Sequence, residues 1–330
     1  MSERALPRIA LDAMGGDQGP AEIVAGALLA HRDRLGEIIL FGDRERIAPH
    51  LHGAPLTVID VKGEVAMDAH ASYAVRNSAG TSLGEAIEAL RRGEADGVVS
   101  AGNSGAFLGI ALIRLRTIPG IARPAIGAVL PAAHGPVVLC DAGANVDCKP
   151  EWLAQFGMMG SAFATAALGI ERPRVAVVSV GEERTKGNAQ VIEAAALLER
   201  MPLYFVGNVE GKDVFLNQAD VVVADGFVGN VILKTAEGAA TFVKDLLRES
   251  FEEAGPVAKL GALLSRGAFA RLRTKVDYAT YGGAPLLGVN GNCIVAHGRS
   301  DRIAIRNAIA QAARLAEAGL VASIAGACAA

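Results

Sequence analysis

Short apolar runs alternate along this chain with glycine-rich turns and with longer segments in which apolar residues recur every three or four positions. The first unit is a run at 9–11, the turn AMGGDQGP at 13–20 and a helix-like segment at 21–34. Such runs, bounded by glycine, are typical of buried strands, and the longer period is typical of amphipathic helices. Because the two alternate, the pattern predicts an α/β fold with a largely parallel sheet covered by helices on both faces.

Five glycine-rich loops follow predicted strands and carry polar side chains. They are AMGGDQGP (13–20), SAGNSGA (100–106), CDAGANVD (140–147), GEERTKGN (181–188) and DGFVGNVILK (225–234). Ligands bind beyond the carboxyl ends of parallel strands, so we expect the five loops to meet at one edge of the sheet. A pocket of N–H groups and carboxamides with few cations suits a phosphate. Capping and turn formation would explain each loop taken singly.

Composition narrows the class of protein. With 330 residues and 51% hydrophobic content, the chain is long enough for one large α/β catalytic domain spanning 1–330, or for two intertwined halves. A net charge of −3 argues against a nucleic-acid partner. No run reaches the roughly 18 apolar residues of a membrane span, and the first eight residues do not resemble a signal peptide. We therefore expect a cytoplasmic protein.

Several kinds of chemistry lack their motifs. The four cysteines show no C-x-x-C spacing and the six histidines no H-E-x-x-H, so we expect no metal site. G-x-S-x-G and Walker motifs are missing, and the glycines at 15, 16 and 19 do not align with G-x-G-x-x-G, which leaves a nicotinamide cofactor weakly supported. His297, in VAHGRSD, lies between a predicted strand and helix and could reach a pocket, although a structural or capping role is favoured.

An ordered series of motifs resembles one family from about residue 9 to residue 301. The segments are IALDAMGGDQGP, SAGNSGA, PGIARPA, DAGANVD, GEERTKGN, GNVEGKDV, ADGFVGNVILKTAEG and YGGAPLLG. They resemble the bacterial phosphate acyltransferases, the acyl carrier protein:phosphate acyltransferases of phospholipid synthesis (the PlsX family). Each motif is moderately specific, and the ordered series is very specific. Ser104 stands where the family more often has threonine, which is a mild change.

The resemblance implies a reaction and a fold. A long-chain acyl thioester on acyl carrier protein reacts with inorganic phosphate to give acyl phosphate, which feeds a downstream glycerol-3-phosphate acyltransferase. The implied fold is a three-layer α/β/α sandwich with a mixed, mostly parallel central sheet, related to isocitrate dehydrogenase and phosphate acetyltransferase. A homodimer without a cofactor is implied as well. A mixed sheet would correct the purely parallel sheet that the pattern suggests.

The chemistry of this reaction needs orientation and charge stabilisation more than a strong acid or base. We expect Lys186 to stabilise the charge of phosphate or of the oxyanion, and Asn230 to donate to the same centre. The remaining predicted substrate-binding residues are Gly15, Gly16, Asp17, Asn103, Ser104, Gly105, Asn145 and Gly229. Residues of these types offer backbone N–H groups, amides and close backbone approach, which a phosphate and a pantetheine arm require.

A basic amphipathic segment at about 255–275 predicts a function distinct from that of the five loops. It contains five cations and no acidic residue between Lys259 and Lys275, and its leucines keep helical spacing. The pattern indicates a helical segment on an anionic membrane surface, in line with the peripheral membrane contacts of the family. The expected contact residues are Leu260, Leu263, Leu264, Arg266 and Arg271. A helix packed on the core, or a docking surface for the acidic carrier protein, is the alternative.

Three other functions stay open on the sequence. A short-chain acyl-coenzyme A:phosphate acyltransferase would use a related fold and the same loops. A nucleotide-dependent dehydrogenase would need a cofactor site that the motifs do not supply. A non-enzymatic scaffold for lipid synthesis at the membrane would use the basic segment but would have no need of Lys186 and Asn230 in glycine-rich loops.

Overall fold

The computed structural model describes residues 5–269 and 281–329. Within them the strands are β1 Arg8–Asp12, β2 Glu37–Gly42, β3 Thr57–Asp60, β4 Gly97–Ser100, β5 Ala125–Leu130, β6 Val137–Cys140, β7 Arg174–Val178, β8 Tyr204–Val209, β9 Val221–Val223, β10 Ala284–Leu287 and β11 Cys293–Val295. The helices are α1 Ala21–Arg32, α2 Arg44–Leu51, α3 Ala71–Arg76, α4 Ser82–Arg91, α5 Ser104–Leu115, α6 Pro150–Leu168, α7 Ala189–Leu198, α8 Gly226–Glu253, α9 Gly255–Leu264, α10 Arg302–Glu317 and α11 Leu320–Ala329.

Local chemistry explains where several helices begin. Asp43, Thr81, Asn103, Asn188 and Asp225 each accept a backbone N–H of the first turn through the side chain, at the starts of α2, α4, α5, α7 and α8. Such caps satisfy N–H groups that have no partner inside the helix. Helix α6 instead starts with proline, whose missing N–H costs nothing at that position.

All eleven strands join one mixed sheet in the order β3-β2-β1-β4-β11-β10-β5-β6-β9-β7-β8. Seven of the ten pairings between these strands are parallel, and the antiparallel ones are β11–β10, β10–β5 and β5–β6 in the middle. The mostly parallel, mixed sheet implied by the family resemblance is therefore confirmed. The purely parallel sheet suggested by the pattern alone was wrong.

The three antiparallel pairings reverse the direction of one half of the sheet relative to the other. Strands β1, β2, β3, β4 and β11 end at what we call the first end of the sheet, and β6, β7, β8 and β9 end at the opposite, second end. The expectation that all five glycine-rich loops share one edge was wrong for this reason. The loops after β1 and β4 lie at the first end, and those after β6, β7 and β9 lie at the second.

Helices cover both faces of the sheet. Helices α1, α6, α10 and α11 contribute to one large apolar cluster, in which the side chains of Ile9 and Leu11 also lie. The side chain of Ala10 points to the other face, where α4 and α5 pack. Because side chains alternate along a strand, Leu139 belongs to that second face as well, and the apolar cluster around it receives Val228 from the start of α8. The layers are helix, sheet and helix.

The outer half of α8 and the whole of α9 leave this body, and we call them the outer hairpin (residues 241–264). Large apolar side chains are exposed there, among them Phe242 at 66%, Val257 at 84% and Leu264 at 78%. Gly255, with φ +82°, lies at the turn between the two helices. Further along, the rings of Phe251 and Phe269 meet edge to face at 5.6 Å between centroids. The part of the basic segment that the structure describes, up to residue 269, is therefore exposed and does not pack on the core.

A test of helix length and hydropathy within the described residues found no single helix able to span a membrane. Helices α10 and α11 pass that test only when they are taken together, and they are bent by 47° at the break between them.

Candidate active site

At the first end, a buried carboxylate organises the loop that follows β1. Asp12 accepts the hydroxyl of Ser100 at 2.7 Å, and that hydroxyl accepts the N–H of Gly102 at 3.0 Å. A Cβ atom at Gly15 would lie 2.7 Å from the Asp12 carboxylate and 2.8 Å from the nitrogen of Gly102, so only glycine fits there. Burial raises the pKa of Asp12, while the hydrogen bonds that its carboxylate accepts, among them the one from Ser100, act in the opposite direction. The result is a rigid pair of loops.

The start of α5 lies beside this pair of loops. The Asn103 side chain is fully engaged, because it caps Ala106 and donates both amide hydrogens to backbone carbonyls, those of Met67 and Ala69, at 2.9 Å. Its role here is structural capping. Ser104 and Gly105 are exposed, and no described residue accepts their backbone N–H groups. These two N–H groups at a helix N-terminus are suited to an anion.

At the second end, Asp141 shapes the loop after β6. Its carboxylate accepts five N–H groups, from the backbone of Ile126, Gly143, Ala144 and Asn145 and from the Asn145 side chain, at 2.7–3.1 Å. Burial raises the pKa of Asp141, and the converging N–H groups oppose that rise. Asn145 donates its second amide hydrogen to the carbonyl of Pro124 at 2.7 Å, so its side chain offers only an acceptor.

The thiol of Cys148, just after this loop, approaches the Asn145 carbonyl at 3.4 Å. Burial raises the pKa of Cys148 to about 11, so the sulfur carries its proton at neutral pH. A protonated thiol is a poor nucleophile, which disfavours an acyl-cysteine intermediate at this position.

Two glycines seat the first turn of α8 on the Asp141 loop. The N–H of Gly226 donates to the Asn145 carbonyl at 2.6 Å, and a Cβ atom at Gly229 would lie 1.8 Å from the Asp141 carbonyl. Asn230 is exposed beside Gly143, and its amide makes no hydrogen bond with residues 5–269 or 281–329. Of the asparagines predicted for the site, Asn230 is therefore the one whose amide is free to donate to a ligand.

Lys186 lies in the loop after β7, the strand beside β9. Its side chain is exposed and forms no ion pair or hydrogen bond with the described part of the chain. Asn208 holds this loop by donating to the carbonyl of Glu183 at 2.9 Å. The hydroxyl of Ser179, below Gly187, is buried without a hydrogen-bond partner in the described residues. The loop thus carries an exposed ammonium group at Lys186 and, below Gly187, a buried hydroxyl, both unpaired within the described residues.

Helix α8 connects the two ends of the sheet. Strand β9 has three residues and spans about 10 Å, whereas the helix rises about 12 Å over the eight steps from Gly226 to Lys234. Accordingly, the charge of Lys234 acts on His297 at the first end, in the loop between β11 and α10, as do those of Glu237 and Asp17. Asn230 and Lys234 are four residues apart and share one face of α8.

The predicted site residues therefore form two groups, with α8 between them. Gly15, Gly16, Asp17, Asn103, Ser104 and Gly105 lie at the first end, whereas Asn145, Lys186, Gly229 and Asn230 lie at the second. Sequence reasoning did not select Asp12, Asp141 or Lys234 for the site, and it favoured a structural role for His297. Their motifs were visible, but their burial and neighbours were not.

Four of the five predicted membrane-contact residues lie outside these two groups. The side chains of Leu260, Leu263, Leu264 and Arg266 are exposed on or just after α9. Arg271 lies outside the described residues.

Comparison with known proteins gives the chain its relatives. A family model described as fatty acid synthesis protein matches residues 7–323. The chain is 50% identical over 325 residues to a phosphate acyltransferase of Myxococcus xanthus, covering 96% of this chain and 92% of that protein. It is 46% identical over 315 residues to a phosphate acyltransferase of Nitratidesulfovibrio vulgaris, covering 94% and 91%.

Solved structures show the same fold at low sequence identity. A phosphotransacetylase from Streptococcus pyogenes superposes with a TM-score of 0.64 at 19% identity, covering 94% of each chain. A branched-chain phosphotransacylase from Enterococcus faecalis gives 0.57 at 14%, covering 94% of this chain and 99% of that one. These likenesses establish the fold, and the curated relatives confirm the resemblance found in the sequence. The chain is an acyltransferase that belongs to the phosphate acyltransferase family of fatty acid synthesis proteins.

Proposed function

We propose that this protein transfers a long-chain acyl group from acyl carrier protein to inorganic phosphate, giving acyl phosphate for phospholipid synthesis. The observation that carries the proposal is the free amide of Asn230, fixed in space by the Gly226–Gly229 contact with the Asp141 loop. The exposed ammonium group of Lys186 lies in the loop of the neighbouring strand. The names of the relatives support phosphate as the acyl acceptor. The carrier-bound acyl donor is our proposal beyond those names.

The reaction fits a site with donors and no strong base. A phosphate oxygen attacks the thioester carbonyl carbon, a C–O bond forms, and the C–S bond breaks as the thiolate leaves. The second pKa of phosphate is about 6–7, by analogy with phosphate esters, and the pKa of a thiol is about 8.5. Near pH 7, therefore, neither the nucleophile nor the leaving group needs a strong general base or acid. The tetrahedral intermediate places negative charge on the former carbonyl oxygen, which Asn230 and Lys186 would stabilise.

The backbone N–H groups at the start of α5 supply a further place for an anion. We assign phosphate or the phosphopantetheine arm to the region of Ser104 and Gly105, with Gly15 and Gly16 keeping the backbone close by. Asn103 and Asn145 contribute by holding their loops, because their amide hydrogens are already donated. Asp17 lies at the edge of the same region, its N–H bound to the Gly298 carbonyl at 2.8 Å.

The test is formation of acyl phosphate from palmitoyl-acyl carrier protein and phosphate, trapped as the hydroxamate with hydroxylamine. We expect phosphate-dependent product from the wild type and at least 100-fold less from Lys186→Ala and from Asn230→Asp, since losing one oxyanion donor costs roughly that factor. Lys212→Ala is the matched control, because Lys212 pairs with Glu210 at 2.7 Å on the surface. Product from every variant at the wild-type rate would reject both assignments.

A second donor separates the nearest alternative. Butyryl-coenzyme A in place of the carrier-bound substrate should give at least tenfold less product per unit time. Faster turnover with the coenzyme A ester would identify a short-chain enzyme. No product from either donor, with the protein folded, would favour the scaffold function.

We also propose that the outer hairpin serves assembly and membrane contact, in the cytoplasm. Exposed apolar side chains repeat along α8 at Phe242, Val243, Leu246 and Leu247, a stripe that suits a second copy of the chain. Those of α9 suit the surface of an anionic bilayer, together with Arg266. The acyl phosphate would then be released close to the membrane, where a glycerol-3-phosphate acyltransferase consumes it.

The dimer proposal is tested by mass in solution. The wild type should elute with twice the chain mass in light-scattering chromatography, and the double variant Phe242→Glu, Leu246→Glu should elute as a monomer. A variant that stays dimeric would place the interface elsewhere.

A further inference from the structure

One ring nitrogen of His297 accepts a hydrogen bond, and the other has no hydrogen-bond partner within the described residues. Its Nδ1 atom accepts the backbone N–H of Arg299 at 3.2 Å. A backbone N–H can only donate, so in the neutral ring the hydrogen resides on Nε2. The imidazole is half-buried, and within the described ranges nothing accepts a hydrogen bond from Nε2. The structure thus shows an N–H donor for which residues 5–269 and 281–329 supply no acceptor.

Charged groups from three elements act on the ring of His297 by their charge. They are Lys234 and Glu237 of α8, which form an ion pair at 2.9 Å, Asp17 of the loop after β1, and Arg299 of the loop that holds His297. The Asp17 carboxylate lies next to Gly298, the residue after His297. The guanidinium of Arg299 is exposed and forms no ion pair with residues in the described part of the chain. Burial, and then the charge of Lys234, lower the pKa of His297, so the ring is neutral at pH 7.

We propose that His297 contacts the substrate, its Nε2–H donating to a phosphate oxygen that Arg299 also faces. The inference rests on the proposed function, of which it names a further ligand-binding residue. A neutral donor has a chemical advantage over a cation at this place. An imidazolium could transfer its proton to the phosphate dianion and so weaken the nucleophile, whereas neutral imidazole orients the phosphate and leaves its charge intact.

Two sources could supply a phosphate oxygen to His297. One is the inorganic phosphate that is acylated, and the other is the phosphodiester of a phosphopantetheine arm. The two differ in charge, since orthophosphate exists in good part as a dianion at pH 7, whereas a phosphodiester is only a monoanion. A nearby dianion should therefore raise the pKa of His297 more strongly than a phosphodiester does.

The direct test follows the His297 ring by NMR in the full-length protein labelled with ¹³C-ε1 histidine. His297→Gln identifies the signal among the six histidines. We expect orthophosphate, compared with chloride at equal ionic strength, to shift this signal and raise its pKa, and diethyl phosphate to do so only weakly. A stronger response to diethyl phosphate would reassign His297 to the arm and overturn its contact with the nucleophile. An unmoved signal, while calorimetry shows phosphate bound, would overturn the inference altogether.

Kinetics separate a substrate contact from a structural role. His297→Phe should raise KM for phosphate roughly tenfold or more, as expected for the loss of a hydrogen bond to a charged group, and leave KM for the acyl donor within about twofold. His297→Gln, whose amide N–H can replace Nε2–H, should recover part of the loss. His134→Phe, on the exposed turn between β5 and β6, is the matched control.

An unchanged KM for phosphate in His297→Phe would overturn the inference. So would equal losses in both His297 variants accompanied by a lower unfolding midpoint. Failure of the proposed function is recorded separately, as absence of hydroxamate from the wild type.

Discussion

The two halves of α8 belong to one helix and have opposite relations to the rest of the molecule. The first turns are held against the Asp141 loop, where a Cβ atom at Gly229 would lie 1.8 Å from a carbonyl oxygen. Nine residues later, a Cβ atom at Gly238 would meet nothing within 4 Å. The same residue type is thus required by packing at Gly229 and is unconstrained at Gly238, where α8 is about to enter the outer hairpin. The difference lies in the neighbours.

The largest effect should come from Gly229→Ala. The new methyl group must push α8 away from the loop, and overpacking of this kind costs about 3 kcal/mol of unfolding free energy. Because Asn230 moves with the helix, acyl phosphate formation should fall at least 100-fold, as misplacement by about 1 Å can cause. Chemical denaturation and the hydroxylamine assay measure the two effects. Wild-type values for both would show that the close contact is not maintained in solution.

A smaller effect, confined to the outer hairpin, should follow Leu263→Ser combined with Leu264→Ser. Each leucine that reaches the bilayer boundary contributes about 1 kcal/mol, so the pair should weaken partition to anionic vesicles roughly 30-fold. Ile113→Ser, at an exposed apolar position on the body, should leave partition unchanged. Co-sedimentation with vesicles measures the partition. If the double variant binds vesicles as well as the wild type, α9 does not form the membrane contact.

Ion pairs allow a finer comparison between the body and the outer hairpin. Arg302 lowers the pKa of Glu22 through a side-chain hydrogen bond, which joins α1 to α10. A lowered carboxyl pKa stabilises the fold above the unfolded value of about 4.5 and loses that effect as the pH falls through the folded pKa. Glu22→Gln should lower the unfolding midpoint by roughly 1–2 °C at pH 7, and the effect should shrink as the pH falls below 4.5 through the folded pKa.

The control for that measurement lies in the outer hairpin. Arg248 and Glu252 form an i,i+4 pair at 2.9 Å with both side chains largely exposed. Glu252→Gln should leave the unfolding midpoint unchanged throughout this pH range. Equal changes for Glu22→Gln and Glu252→Gln would contradict the distinction between the two regions.

The smallest effect, and one of opposite sign, should come from Gly238→Ala. Alanine restricts the unfolded chain and favours helix, which stabilises by about 0.5–1 kcal/mol where space is open. Denaturation curves for Gly238→Ala and Gly229→Ala side by side test the comparison directly. Destabilisation by both would mean that Gly238 has a neighbour in solution, such as a second copy of the chain.

Sequence reasoning predicted the α/β class, and the family resemblance predicted the mixed sheet. The directions of the strands could not be read from apolar runs, because a buried run looks the same whichever way the strand points. For that reason five loops were expected at one edge, and the reversal at β10 and β6 divided them between two.

The sequence predicted which loops form the candidate site. It did not predict which of their side chains are left without a protein partner and can bind a ligand. Asn103, Asn145 and Asn230 follow similar glycine-rich patterns, yet two of them donate their amide hydrogens to backbone carbonyls of distant segments. Those carbonyls, at Ala69 and Pro124, are not visible from the local motif. His297 was undervalued for a related reason, because its neighbours on α8 are about 60 residues away in the chain.

Helix α8 is unbroken over its 28 residues and is therefore about 42 Å long. Its length sets the distance between Asn230, near one end of the helix, and the outer hairpin, into which the other end extends. If α9 rests on a bilayer, the reacting carbonyl is at most about one helix length from the lipid. Under the proposed function the product is an acyl phosphate, a reactive anhydride, and a short fixed path to the membrane would limit its exposure to water.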